Sequence, residues 1–286
     1  AARSVAASDM AGAPDTNRWA IIIVGIPGDR EHDPIFRQTA ETWRKWLVES
    51  VRVPADQVIQ LPPIAEPEQN PTKVTADSIR QTVTDLKNKL QPDDSLWVFT
   101  LGHGNYDGKH AWLHVQGRDP SEEDFGRWFA DLRCREQVFW LTQANSGWFV
   151  RPLSRPGRIV IAATAADDES NETEFPLALA DLVRQQTGSA KVDASDRISV
   201  ADLFQAVREE VQRRFDADKR LSTEHAQLDD NGDGRGSESL EPRKKAGAES
   251  SAPPARSDKT DGELARATWI PWRKAPTAPA APAGKP

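Results

Sequence analysis

Short apolar runs alternate with amphipathic stretches over most of this chain. Trp19 to Val24 is a continuous, β-branched run ended by Gly25, Pro27 and Gly28, which predicts a buried strand and then a loop. Phe36, Ala40, Trp43, Leu47 and Val51 recur at helical spacing and predict an amphipathic helix over Phe36 to Val51. A short strand at Val58 to Leu61 runs into a proline-rich loop, Pro62 to Pro71, which carries Glu66 and Glu68. Thr75 to Leu90 is a second helix, with Ile79, Val83, Leu86 and Leu90 on one face. Ser95 to Leu101 is another buried strand, closed by Gly102-His103-Gly104, and Trp112 to Val115 alternates as a small hairpin would. A helix at Glu122 to Leu132, strands at Gln137 to Thr142 and Arg158 to Ala163, and helices at Phe175 to Gln186 and Val200 to Phe215 complete the pattern.

Strands that are apolar throughout are buried on both faces. Alternating with helices, they predict a mostly parallel, doubly wound α/β sheet in three layers. From about Arg243 the chain turns to Ala, Pro, Ser, Lys and Arg, which predicts a low-complexity tail over 243–286. Residues 1–17 read as a disordered leader, leaving 18–242 as the domain. Trp269 and Trp272 interrupt the tail. They are expected to dock on the domain or to join the chain to a larger complex, and Trp46 and Trp148 are further candidates for partner contacts.

Charge narrows the partners. A net charge of -7 argues against a nucleic-acid surface, which needs a basic patch. No run approaches the ~20 apolar residues of a membrane-spanning helix. The single cysteine, Cys134, leaves no intrachain disulfide. The small, polar first residues fit a mature exported chain, periplasmic or extracellular, and a trimmed chain starts the same way.

In a doubly wound sheet, sites form at the carboxyl ends of strands. Thr100-Leu-Gly-His103-Gly104 ends one strand and Leu141-Thr-Gln-Ala144-Asn-Ser-Gly147 ends another. The next strand runs into Ile161-Ala-Ala-Thr-Ala-Ala166-Asp-Asp-Glu169-Ser170. In this order and spacing the three segments resemble the caspase/legumain group of cysteine peptidases (peptidase family C13, clan CD). There a strand ends in His-Gly and a later one in Ala-Cys-x-Ser-Gly. The resemblance spans about Trp19 to Val183, lies closer to the legumain branch, and implies a caspase-like α/β/α fold. It makes His103 the base and general acid, gives the oxyanion hole to the backbone N–H groups of Gly104 and residue 144, and puts Ala144 at the nucleophile position. It also assigns the substrate pocket to Arg37, Thr142, Glu169 and Ser170, with Trp148 at the mouth.

The departures decide the expected function. Alanine cannot attack a carbonyl, no His follows Arg37, and Thr142 and Gly102 stand where legumains have acidic residues. Cys134 lies at the other end of its strand, and Ser146 matches the loop serine of the Ser-Gly pair. The expected function is a catalytically inactive peptidase homologue that binds a protein or peptide partner as a scaffold or subunit. An alternative is an active endopeptidase carrying an engineered Cys-to-Ala change at 144. A third is a calcium-stabilised extracellular binding module. Asp229, Asn231 and Asp233, followed by Gly234, form the first half of a calcium loop, but Leu240 stands at the twelfth place, where a bidentate Glu is needed. The bland reading there is an Asx-rich turn. No other cofactor is expected. His32, His110, His114 and His225 read as surface residues.

Overall fold

The computed structural model describes residues 15, 17–63, 73–167, 169–186, 192–240 and 260–272. The strands are β1 (Arg18–Val24), β2 (Val58–Leu61), β3 (Ser95–Leu101), β4 (Gly104–Tyr106), β5 (Ala111–Leu113), β6 (Glu136–Leu141), β7 (Arg158–Ala162), β8 (Arg197–Ser199), β9 (Gln227–Asp229) and β10 (Trp269–Pro271). The helices are α1 (His32–Glu49), α2 (Ala76–Lys89), α3 (Glu122–Trp128), α4 (Val150–Leu153), α5 (Phe175–Gln185), α6 (Val200–Ala217) and α7 (Glu263–Ala267). One six-stranded sheet has the order β2-β1-β3-β6-β7-β9. Its pairings are parallel except for the last, where β9 runs antiparallel to β7.

Period-two alternation along the strands builds two cores. Ala20 and Ile22 of β1, Trp97 and Phe99 of β3 and Trp140 of β6 face one side, where α1, α5 and α6 pack. Ile21, Ile23, Val98, Phe139 and Leu141 face the other, where α2 and α3 pack. The result is a mixed α/β fold with helices on both faces of a mostly parallel sheet, as the hydrophobic pattern predicts. Local chemistry fixes several helix starts. Thr75 and Ser78 form a reciprocal capping box on α2, Ser121 and Asp124 do the same on α3, and the Ser199 hydroxyl accepts the Asp202 N–H on α6.

Some boundaries differ from expectation. Helix α1 begins at His32, four residues before the periodic stripe. Asp33 and Pro34 suit a first helical turn, whose N–H groups have no intrahelical acceptor. Helix α3 stops at Trp128 because Phe129 leaves helical geometry at ψ 7°. The hairpin pairs Gly104–Tyr106 with Ala111–Leu113, earlier than Trp112 to Val115. Most of the proline-rich loop, the leader apart from Asp15 and Asn17, and the tail outside 260–272 lie outside the described residues. The Asp15 N–H donates to the Arg52 carbonyl at 2.9 Å and the Asn17 carbonyl accepts the Ser95 N–H at 2.7 Å, so these two residues join the domain.

Of the two outcomes expected for the tail tryptophans, docking on the domain holds for Trp272, while Trp46 needs correction as a partner contact. Trp272 is 1% exposed and packs in this chain's own core with Ile270 and Ala265. Strand β10 pairs antiparallel with β8, and the Trp272 N–H donates to the Asp196 carbonyl at 2.7 Å. The segment 260–272 therefore belongs to the folded unit, and Trp272 is no partner contact. Trp269 is half-exposed and lies under the Arg197 guanidinium. Trp46 is also core, packed on Trp97 and Phe99, because α1 buries a wider stripe than the one Trp43 marks. Among the described residues no helix is long and apolar enough to cross a membrane.

Candidate functional site

Strands β3, β6 and β7 are parallel neighbours, with Thr100 opposite Leu141 and Leu141 opposite Ala162. Their carboxyl ends therefore lie side by side, and all three predicted segments meet there. Gly104 touches the second segment directly: a Cβ built on it would stand 2.5 Å from the Ala144 carbonyl oxygen and 3.1 Å from Gln143 Cγ. Only glycine lets the two strand ends come this close.

His103 follows β3 and is half-buried. Its Nε2 lies 2.9 Å from the Pro27 carbonyl oxygen, in the loop after β1. A carbonyl can only accept, so Nε2 carries the hydrogen and Nδ1 is the basic nitrogen. Phe36 of α1 packs on the ring at 5.3 Å between centroids, and the edge of His32 meets it at 5.1 Å and 81°.

Residue 144 tops a sharp turn. Asn145 takes left-handed geometry at φ 57°, which Asn tolerates better than most residues, and its N–H donates to the Glu169 carbonyl at 3.2 Å. A short 3-10 turn, Ser146–Phe149, follows. At Gly147 a Cβ would stand 2.2 Å from the Ala165 carbonyl carbon, so the glycine of Ser-Gly lets this turn rest on the end of β7. The Ser146 hydroxyl is spent there: it lies 3.3 Å from Thr164 Oγ1 and accepts the Thr164 N–H at 3.2 Å. Ser146 is fully buried, which removes it as a substitute nucleophile. Cys134 sits before β6, at the opposite end of the sheet, and burial pushes its thiol up to about 11.

The remaining predicted residues are placed unequally. Ala144 is 5% exposed. Thr142 is fully buried and donates its hydroxyl to the Thr100 carbonyl at 2.6 Å, so it faces the neighbouring strand and not an open pocket. Arg37 points to solvent and pairs with Asp33 at 2.5 Å. Glu169 is engaged within the protein, accepting the Ala165 N–H at 2.8 Å and pairing with His225, while Ser170 is exposed. Trp148 stacks on Tyr106 with centroids 4.2 Å apart. It lines a groove of about 740 Å³ with Gly147, Ala165, Ala166, Arg151 and Arg235.

At the calcium-like loop both Asp229 oxygens are occupied, accepting the Gly232 N–H at 3.0 Å and the Gly234 N–H at 2.9 Å. Asn231 accepts the Asp233 N–H and Asp233 the Arg235 N–H, which completes an Asx-type turn. A strand, β9, precedes this loop, where a calcium hand has a helix. The loop's neighbour Asp230 instead holds the C-terminal segment, accepting the Gly262 N–H at 2.7 Å and the Ala265 N–H at 2.8 Å. Burial raises Asp229 and takes Asp261 up to about 6. Among the described residues one set of three potential metal-ligating groups converges, His110, Glu122 and Glu123, with ligand atoms within 4.8 Å of one another. Its Glu122 is already bound to the Ala111 N–H and to His110.

The site residue that sequence reasoning missed is His32. Its signal was local: Asp29 three residues earlier, at the entry of a helix. What makes it part of the site is its contact with His103, which depends on how α1 crosses the sheet. No family model matches this chain, and no curated protein matches it.

Proposed function

We propose that this chain is a catalytically silent relative of the caspase/legumain-like cysteine peptidases. Its α/β/α layers would be those of the caspase-like fold, and it would act by binding a peptide or protein segment at the carboxyl ends of β3, β6 and β7. One observation supports the reading: an oriented histidine and an alanine stand on adjoining strand ends. Pro27 fixes His103 with Nδ1 basic, while the Gly104–Ala144 contact sets residue 144 beside the His-Gly turn. A thiol at position 144 would be the nucleophile of such a pair. A methyl group leaves nothing to attack with, and loss of the nucleophile costs on the order of a millionfold in rate. Neither Ser146 nor Cys134 is placed to replace it. The Trp148 groove offers an extended segment an aromatic face beside that turn.

The test is incubation with a diverse peptide library, read by mass spectrometry and by tryptophan emission. We expect no cleavage. We also expect saturable binding of some peptides, with an emission change that is lost in Trp148→Phe. Turnover by the chain with Ala144 in place would overturn the reading.

A second reading is an endopeptidase in which Ala144 replaces a cysteine. The hold of Pro27 on His103 favours it, since that bond is of use to a working base. The codon at position 144 in the native gene separates the two.

A further inference from the structure

His103 is braced from the loop after β1 by two routes, and the second runs through His32. Its Nδ1 lies 2.8 Å from Asp29 Oδ1, in the same loop as Pro27. Its Nε2 lies 3.0 Å from Glu172 Oε1, in the loop between β7 and α5. Carboxylates only accept, so both ring nitrogens carry hydrogen and the ring is an imidazolium. The edge of that ring lies against His103. His32 thus joins two loops that lie far apart in sequence, one on each side of the site histidine.

We propose that His32 is a clasp over the site: its imidazolium ties the loop after β1 to the loop after β7 and so limits access to His103 and residue 144. The titratable groups facing the ring are Asp29 from the loop that leads into α1, Glu172 from the β7–α5 loop and His103 from the end of β3. The bonds to Asp29 and then Glu172 raise the proton affinity of His32 above its ordinary 6.5. The clasp is therefore complete below that value and lost as pH rises through the higher, folded-state value. The Asp29–His32–Glu172 bridge stands on its own geometry. Its consequence for access rests on reading His103 and residue 144 as one site.

The test is hydrogen exchange of the full chain, corrected for intrinsic rates, over residues 25–31 and 169–174. Near pH 6, Glu172→Ala should raise exchange in both segments by about tenfold, and His32→Gln should do the same. Among the described residues Glu172 is hydrogen-bonded to His32, which holds Asp29 in turn, so a response over 25–31 reports the bridge. Wild-type chain at about pH 9 should match the variants. A response confined to the mutated loop, or wild-type protection unchanged between the two pH values, would overturn the clasp. Thiol labelling of the Ala144→Cys variant then separates the two ideas. Faster labelling on adding His32→Gln supports control of access, and an unchanged rate removes it. Labelling that never depends on His103 removes the peptidase reading and leaves the bridge between the loops standing.

Discussion

The Ala144 carbonyl oxygen lies so close over Gly104 that a Cβ there would stand 2.5 Å away. The Trp112 carbonyl, at 2.9 Å, closes the space from another side. Both obstacles are backbone, so neither can swing aside. Gly104→Ala should destabilise the fold by about 1–3 kcal/mol, as overpacking of a tight interior does. Urea unfolding checks this, and an unchanged midpoint would mean that the strand ends are looser than described.

The C-terminal segment makes the opposite prediction to a floppy docking arm. Trp272 is enclosed by the core, and Trp272→Ala should cost about 3–5 kcal/mol. Asp230 caps α7 through the Gly262 and Ala265 N–H groups, so Asp230→Ala should cost about 1–2 kcal/mol. Removing residues 260–272 should therefore lower the melting temperature markedly. A deletion that left it unchanged would show that the segment is dispensable.

Arg158 is a buried cation whose neutral partners hold it. Nε donates to Gln137 Oε1 at 3.0 Å, Nη1 to the Leu153 carbonyl at 2.7 Å and Nη2 to the Phe129 carbonyl at 2.8 Å, while the guanidinium covers the Phe139 ring. Arg158→Met keeps the volume but strands three acceptors. Each stranded buried group costs about 1–3 kcal/mol, so a loss of several kcal/mol is expected in chemical denaturation. A loss below about 1 kcal/mol would mean that water replaces the guanidinium there.

Glu224 gives a pH dependence. It lies almost fully buried over the start of α5, accepting the Glu174 N–H at 2.8 Å and the Phe175 N–H at 3.0 Å, and burial pushes it up to about 8 from an ordinary 4.5. The folded state then holds a proton that the unfolded chain releases between these values. The contribution of Glu224 to stability is therefore full below about 4.5 and falls as pH rises towards 8, by up to about 1.4 kcal/mol per pH unit. Glu224→Gln should remove this slope while losing one cap bond at every pH. Urea midpoints of both proteins across that range decide it, and parallel curves would contradict the assignment.

The layers were legible because each strand is an apolar run and each major helix a clear stripe. The convergence of His103, Ala144 and the Thr164–Ala166 segment was legible from strand ends alone, since neighbouring parallel strands put those ends together. What escaped depends on crossings that spacing does not encode. Strand β9 is three residues long in a polar stretch, and β8 finds its partner, β10, only across the sequence between them. Trp272 reads as tail because its neighbours in sequence are tail-like, yet its neighbours in space are core. His32 reads as surface because both its carboxylates are polar, and one of them comes from a distant loop. Thr142 occupies a pocket position in the family pattern, but its hydroxyl closes the gap to β3.

The most direct test of the site is the reactivity of a thiol at position 144. The Ala144→Cys variant would be labelled with a peptide-based, thiol-reactive probe, with and without His103→Ala, across pH. Labelling at least about tenfold faster than a free thiol, lost when His103 is removed, is the expected result, because an imidazole with Nδ1 basic lowers the pKa of a neighbouring thiol. Labelling at the free-thiol rate in both variants would mean that His103 and residue 144 do not form a nucleophile–base pair, and the peptidase-type reading of this site would fall.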